Sequence, residues 1–214
     1  MKITCISDLH GFKPELPGGD LLIVAGDLTA ADSIKEHFIF LEWLEIQLYK
    51  NKVVIAGNHD GFIQRQQQLY KEECAERRIH YLQDSCCEIN GLKVYGVPWT
   101  PPFLQWHFMA NQTLMQKKVD EIPDDVDILV THGPSHGTMD KVRDKLVDSR
   151  VGCSILNERL MQLKSLKLHV FGHIHEGYGQ SVFTGSDYQS YICVNASIMT
   201  RDYEPTNNPI TLEL

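Results

Sequence analysis

The sequence lacks several features that would each assign it to a particular class of protein. No run of about eighteen consecutive apolar residues occurs, so no transmembrane helix and no membrane partner are predicted. The six cysteines contain no C-x-x-C pair, and two of them, Cys86 and Cys87, are adjacent. We therefore predict free or buried thiols and no disulfide framework or zinc-thiolate site.

Positive charge is also scarce. Twenty Lys and Arg residues face 28 Asp and Glu residues, which gives a formal net charge of −8. Nonspecific nucleic-acid binders usually present basic surface, so a nucleic-acid partner is not expected. An anionic small molecule stays compatible with this charge, because bound divalent metals reverse the charge of a local site. Residues 1–8 lead directly into a charged motif without the apolar core of a signal peptide, from which we expect a cytoplasmic location.

The chain of 214 residues has no repeat, low-complexity tract or long linker, so we predict one domain over residues 1–214. Short apolar runs rich in β-branched residues predict buried strands. These runs are Ile3–Ser7, Leu21–Ala25, Val53–Ala56, Leu92–Val97, Ile128–Thr131, His169–Phe171, Tyr191–Val194 and Ile210–Leu212.

Helical spacing of apolar residues predicts three helices between the strands, over Ser33–Tyr49, Ile63–Arg78 and Ile155–Leu166. Strands and helices alternate in the first half, which favours an α/β fold with a parallel sheet. The second half has fewer helices between its strands, so mixed or antiparallel pairing is expected there.

Five of the predicted strands end in side chains that bind metals. In an open α/β sheet ligands bind beyond the carboxyl ends of the strands, so these ends are expected to converge on one crevice. Within Asp8-x-His10 and His173-x-His175, a spacing of two residues in extended chain directs both side chains to the same side. The strand-end residues are Asp8, His10, Asp27, Asn58, His59, Asp60, His132, His173 and His175.

The candidate ligands exceed the needs of a single tetrahedral zinc ion. They comprise two carboxylates, four imidazoles and one amide, and this share of oxygen favours Mn, Fe, Zn or similar ions over Ca or Cu(I). Two cations about 3.5–4 Å apart, bridged by one carboxylate, would use all seven groups. The seven are Asp8, His10, Asp27, Asn58, His132, His173 and His175.

The order of these motifs resembles the five-motif signature of the calcineurin-like metallophosphoesterase superfamily. The resemblance covers residues 1–175. Three segments, Val97–Pro101, Thr131–Pro134 and Phe171–Gly179, are also similar to those of the small stand-alone metallophosphoesterase-domain-containing phosphodiesterases. It implies a four-layer sandwich in which two mixed β-sheets are flanked by helices. It also implies two divalent metal ions as cofactors and a small-molecule phosphate ester as substrate.

The resemblance further implies a role for each ligand. Asp27 would bridge the metals, and His59 would not ligate but would face the leaving-group oxygen as a general acid, worth about 10²–10⁴-fold in rate. Asp27 and His59 are thus the predicted catalytic residues, and Asn58 would contact substrate beside His59. One metal would be held by Asp8, His10, Asp27 and His175, and the other by Asp27, Asn58, His132 and His173.

One position departs from the superfamily pattern. Many relatives have an acidic residue three positions after the bridging aspartate, where it orients the general-acid histidine, whereas this chain has Ala30. Either Asp32 or Asp60 replaces it, or His59 is held less firmly. The departure bears on acid catalysis with poor leaving groups and leaves the predicted metal ligands intact.

Two further groups of residues lie near the motifs. Trp99 is predicted to touch substrate, although packing is the commoner role for it and for Phe103 and Trp106. A charged stretch containing Lys141, Arg143 and Arg150 follows the fourth motif. A solvated face is the simpler interpretation of this stretch, and phosphate steering is the alternative.

These patterns together predict a binuclear metal-dependent phosphoesterase. We expect in-line attack of a metal-bridging hydroxide on phosphorus, and a phosphodiester is favoured because no arginine cluster surrounds the motifs. A phosphomonoesterase or a nuclease of the same superfamily is the alternative enzyme. A non-catalytic metal-binding scaffold is disfavoured because no ligand has been lost.

Overall fold

In the computed structural model, described over residues 1–143, 148–185 and 190–214, two large sheets form the centre of the molecule. The side chains of Arg143 and Asp148 lie outside the described part. The first sheet has the order β13-β1-β2-β3-β4, and β1 to β4 are parallel while β13 runs antiparallel to β1. Its strands are β1 (Lys2–Ile6), β2 (Gly19–Ala25), β3 (Tyr49–Ile55), β4 (His80–Tyr81) and β13 (Ile210–Glu213).

The second sheet has the order β11-β12-β10-β7-β6-β5, with parallel pairing at its centre and antiparallel pairing at both edges. A separate hairpin joins β8 (Lys141–Arg143) and β9 (Asp148–Arg150). The strands of the second sheet are β5 (Ser85–Ile89), β6 (Leu92–Val97), β7 (Ile128–Thr131), β10 (Leu168–Phe171), β11 (Gly179–Thr184) and β12 (Ser190–Asn195).

Alternating side chains on the strands build two faces on each sheet. On β1, Ile3 and Cys5 pack between the two sheets with Val130 and Val170, whereas Ile6 faces the helices on the outer side. Helices α1 (Ile34–Glu45), α2 (Gly61–Arg65) and α3 (Gln67–Glu76) cover the first sheet. Helices α4 (Gln112–Asp120) and α5 (Ser154–Leu160) cover the second. The predicted four-layer α/β sandwich is confirmed.

All eight predicted strands overlap observed ones, but the helix boundaries differ from those predicted. Helix α1 starts after a capping box formed by Ser33 and Glu36, and it ends before Tyr49 because that residue begins β3. The predicted helix over residues 63–78 is split at Gln66, which has φ −127° and ψ 40°. Helix α5 ends at Leu160, although the following Leu163 and Leu166 are still buried.

Several elements carry too weak an apolar pattern to be predicted. Helix α4 is rich in Gln and Lys, and the side chain of Asn111 caps it by accepting a hydrogen bond from the amide of Leu114. Strand β11 lies at a sheet edge with mostly exposed residues, and β4 has only two residues. No helix in the described ranges is long and apolar enough to cross a membrane.

Candidate metal centre

The strand ends that carry the predicted ligands meet at one edge where the two sheets adjoin. The amide of Ser7, after β1, donates to the carbonyl of Ala196, after β12, at 2.8 Å. The His132 ring, after β7, donates through Nδ1 to the carbonyl of Ala25 at the end of β2, also at 2.8 Å. Ligands from both sheets therefore face the same space.

Local backbone geometry at this edge is unusual. Asp8, His10, Asp27 and His173 all have positive φ, between 41° and 68°, a region that non-glycine residues rarely adopt. Such conformations cluster at functional sites, where the surrounding structure holds them in place. The turn after each strand thereby directs its side chain into the shared space.

Metal-competent side chains converge there in three overlapping groups, each with ligand atoms within 4.8 Å of one another. Asp27 belongs to two groups, and its two oxygens face different histidines: Oδ2 lies 3.7 Å from His10 Nε2 and Oδ1 lies 3.3 Å from His132 Nε2. This is the placement that the predicted bridging role requires. The groups are Asp8–His10–His175, His10–Asp27–His59 and Asp8–Asp27–His132.

Several ring nitrogens of the site face only oxygen acceptors or have no partner, which is the arrangement that a cation would satisfy. His132 donates through Nδ1 and directs Nε2 at Asn58 Oδ1, 2.9 Å away, and at the Asp27 carboxylate, so that either a proton or a cation on Nε2 would complete the contact. His175 repeats the arrangement, since it donates through Nδ1 to the carbonyl of Thr200 and points Nε2 at Asp8 Oδ1, 3.5 Å away. His10 Nε2 is buried without a hydrogen-bond partner. Divalent cations fit these donors.

The electrostatics of the protein alone lead to the same conclusion. Burial opposes a charge on His132, but Asp27 and Asp8 outweigh it and raise the pKa of that ring to about 9. Burial lowers the pKa of His173 to about 3, so that ring is neutral and free to ligate. Burial also opposes the charge on Asp27, but the neighbouring His132 outweighs it and lowers the pKa of the carboxyl to about 2. The site holds its carboxylates ionised and attracts positive charge.

Comparisons with known proteins agree with this geometry. A family model described as calcineurin-like phosphoesterase matches residues 1–177. A human protein named metallophosphoesterase domain-containing protein 1 is 38% identical over 237 aligned residues, which cover 100% of this chain and 71% of the human protein. The chain belongs to the calcineurin-like phosphoesterase family. It is therefore a metal-dependent hydrolase of phosphate esters, as predicted.

Solved structures share the fold of this phosphoesterase at low sequence identity. The protein TT1561 of Thermus thermophilus superposes with a TM-score of 0.61 at 14% identity, covering 91% of this chain and 88% of the other. A dimetal phosphatase from Danio rerio gives a TM-score of 0.51 at 9% identity, covering 91% and 87%. These similarities confirm the fold class.

The phosphoesterase site includes supporting groups that the motifs do not reveal. Ser197 Oγ donates to Asp8 Oδ2 at 2.5 Å, and the amide of His173 donates to the same carboxylate at 2.9 Å. The amide of His59 donates to Asp27 Oδ1 at 2.8 Å. For Ser197, the available sequence signal is a polar residue shortly after the predicted strand Tyr191–Val194. A lone serine there suggests no metal chemistry, so its role could not be predicted.

Replacing Ser197 by alanine is expected to weaken metal binding about tenfold or more, because groups that orient a ligand contribute that much to affinity. The hydroxyl holds Asp8 in one orientation, and its loss leaves a buried carboxylate oxygen without that donor. Titration of the metal-free variant with Mn²⁺ or Zn²⁺ measures the change. Ser181→Ala, on the exposed strand β11, is the control; equal affinities in the two variants would contradict the role of Ser197.

Neither carboxylate considered as a replacement at the Ala30 position contacts His59 in the described structure. Asp60 is buried and accepts from the amides of Gly57 and Leu28, so it fixes the turn before the metal ligands. Asp32 accepts from the amide of Phe62 and pairs with Arg65 and His37. Of the two alternatives for His59, an acidic replacement or a ring without one, the described structure agrees with the second.

Aromatic packing replaces that acidic partner. The His59 ring stacks on Trp106 with centroids 4.2 Å apart and planes inclined by 32°, and it meets His10 edge-on at 4.6 Å. Trp106 holds the ring over the site without a hydrogen bond. Its position in a loop between β6 and α4 could not be inferred from the sequence pattern.

A cavity of about 550 Å³ opens directly onto several of the predicted metal ligands. Trp99 does not line it, because its indole nitrogen donates to Asp84 at 2.9 Å and its ring packs against Phe108. The structure places Trp106 and Phe103 at the cavity instead. The lining residues are Asp27, Asn58, His59, Pro101, Pro102, Phe103, Leu104, Trp106, Gly133, Pro134, Val142, Val151, His173, Ile174, His175, Glu176, Arg201 and Tyr203.

Proposed function

We propose that this metallophosphoesterase is a phosphodiesterase that hydrolyses small-molecule diesters. The observation that supports it is the cavity, in which the metal ligands are flanked by a largely apolar wall that includes Phe103, Leu104, Trp106 and Tyr203. An organic substituent on the phosphate would bury apolar surface against this wall. A phosphate group alone would leave it exposed to water.

The scarcity of positive charge in the cavity also favours a phosphodiester over a phosphomonoester as the substrate. Among the described residues that line it, Arg201 is the only lysine or arginine. A monoester carries a second negative charge and benefits from additional charge-assisted hydrogen bonds. A diester, with a single charge on its phosphate, needs fewer such donors.

Divalent cations would be held at one position by Asp8, His10, Asp27 and His175 and at the other by Asp27, Asn58, His132 and His173. When bound, they supply Lewis-acid polarisation of the phosphoryl oxygens and lower the pKa of water.

The protein contributes orientation and proton transfer. The Asp27 carboxylate accepts a hydrogen bond from the backbone amide of His59, which orients the carboxylate relative to the His59 backbone. His59 lines the cavity beside Asn58, where its ring can donate a proton to the departing ester oxygen. Water thus replaces one ester oxygen on phosphorus, and the released alcohol takes up the proton.

Activity with Mn²⁺ on two aryl esters tests the proposal. We expect kcat/KM for bis(p-nitrophenyl) phosphate to exceed that for p-nitrophenyl phosphate by about tenfold or more, since one lost charge-assisted contact costs about that factor. Both substrates release the same phenolate, so the comparison isolates the second substituent. Faster monoester turnover would assign a phosphatase, and cleavage of single-stranded DNA would assign a nuclease.

A further inference from the structure

A second cavity of about 700 Å³ adjoins the metal-site cavity and has a different chemical character. The two cavities share Glu176 and Arg201 in their walls, so a molecule in one can extend into the other. The second cavity is called the basic cleft below. Its lining residues are Gly137, Met139, Lys141, Arg150, Glu176, Gly177 and Arg201.

The β8–β9 hairpin brings two cations of the basic cleft together. Lys141 and Arg150 are directly opposite each other in the antiparallel register. Like charges in opposite positions of two strands are destabilising, so this pairing needs compensation. Arg150 obtains it from Asp140, at 2.7 Å, whereas Lys141 has no carboxylate partner among the described residues.

The negative charge of Asp140 is balanced by Arg150 and by backbone amides of the same loop. This carboxylate is fully buried and also accepts from the amides of Gly137, at 2.9 Å, and Gly152, at 3.2 Å. It balances Arg150 and fixes the hairpin, but it does not face outward to neutralise Lys141. The pairing of Arg201 with Glu176 is loose, at 3.8 Å. Three cations therefore line the basic cleft against one exposed carboxylate, in a chain whose net charge is −8.

Close backbone packing holds the cleft in place beside the metal site. The 3-10 turn His175–Gly177 begins at a predicted metal ligand. A Cβ at Gly177 would lie 2.1 Å from the carbonyl oxygen of Met139, so only glycine lets the loop before β8 approach this closely. The position of Lys141 is thus tied to that of His175.

We propose that the basic cleft binds a second anionic group, a phosphate or a carboxylate, carried by a substituent of the diester substrate. The inference rests on the proposed diesterase function and adds the substrate class to it. Lys141 and Arg150 lie outside the cavity that contains the metal ligands, so they meet a remote part of the substrate and not the reacting phosphate. The side chains of Arg150 and Arg201 are 42% and 51% exposed, so the attraction is sensitive to salt.

Three diesters with a common leaving group test the cleft in the metal-loaded full chain. Propyl p-nitrophenyl phosphate has a neutral tail, and its 3-phosphonooxypropyl and 3-carboxypropyl analogues carry the two candidate anions. At low ionic strength we expect kcat/KM to be about five- to tenfold higher for at least one anionic tail, the range for a few exposed charge contacts. The better tail identifies the anion.

The Lys141→Ala variant is expected to reduce this preference to less than about twofold, because it removes the cation that has no carboxylate partner within the described part of the chain. Lys71→Ala removes the same charge from the exposed surface of α3 and is expected to keep the wild-type ratio. Equal kcat/KM for all three diesters in the wild type, or an equal loss of preference in both variants, would overturn the proposal.

A binding measurement separates failure of the cleft from failure of the diesterase function. The ¹⁵N-labelled, zinc-loaded chain is titrated with inorganic phosphate, and the amide signals of Gly137 and Gly177 are followed. We expect these signals to shift in the wild type and to shift several-fold less in Lys141→Ala. If no diester is hydrolysed, the proposed diesterase function is wrong, but the shifts still test whether the basic cleft binds an anion. Absence of the shifts in the wild type would overturn the proposal of anion binding.

Discussion

Replacement of Asp27 by asparagine is expected to lower kcat/KM for bis(p-nitrophenyl) phosphate by about 10²–10³-fold, since a preorganised electrostatic group at the reacting centre contributes about this much. The two oxygens of Asp27 face His10 and His132, which belong to the two different halves of the predicted ligand set. Asparagine keeps the shape but removes the charge and turns one oxygen into a donor. Metal content, measured by plasma mass spectrometry after dialysis, should fall from about two ions per chain to about one or fewer.

Asp20→Asn provides a matched control for this experiment. Asp20 lies in β2, the strand that Asp27 follows, but it is partly exposed and pairs with Lys50 at 2.6 Å. Its replacement removes one carboxylate from the same strand without touching the site. Turnover of Asp27→Asn within a few fold of Asp20→Asn would exclude a bridging role for Asp27.

Replacement of His59 by alanine is expected to reduce kcat by about 10²–10⁴-fold on diesters with an alkyl leaving group, the range for loss of a general acid. The loss should be much smaller with p-nitrophenolate, which departs without a proton. Metal content is expected to stay close to that of the wild type, because His59 is not among the predicted ligands. Kinetics on the two classes of substrate, together with metal analysis, measure both effects.

The dependence on leaving group distinguishes proton transfer from charge stabilisation. An equal loss on both classes of substrate would show that His59 acts on the phosphate and not on the departing oxygen. His136→Ala is the control, because His136 is exposed in the loop after β7 and does not line the cavity. A large loss of metal from His59→Ala would instead make it a ligand, in line with its place near His10 and Asp27.

The convergence of the candidate ligands could be predicted because the relevant signal is local. Each polar cluster follows an apolar run directly, and parallel strands bring their carboxyl ends to one edge. Asp8, Asp27, His132 and His173 therefore needed no knowledge of strand order to be grouped. The two-sheet arrangement followed from the resemblance, because the sequence pattern alone does not specify which strands pair.

The parts of the site that were not predicted depend on contacts distant in sequence. Ser197 reaches Asp8 across 189 residues, and Trp106 reaches His59 from a loop without regular structure. Trp99 and Trp106 are indistinguishable by residue type, and only the fold shows that the Trp99 indole is bonded to Asp84. Nor does the sequence around His59 indicate that aromatic stacking replaces an acidic partner for this ring.

The convergence of ligands from both sheets gives the metal pair a mechanical role. Asp8 and Asp27 extend from the first sheet, whereas His132 and His173 extend from the second. Each cation would then cross-link the two sheets, which are otherwise held together by side-chain packing and a few hydrogen bonds. A ligand that binds only the folded state raises the free energy of unfolding in proportion to the logarithm of its free concentration. The free energy of unfolding of this protein should therefore increase with the concentration of free metal. Removal of the metal by a chelator would weaken the contacts between the two sheets before it affected strand pairing within either sheet.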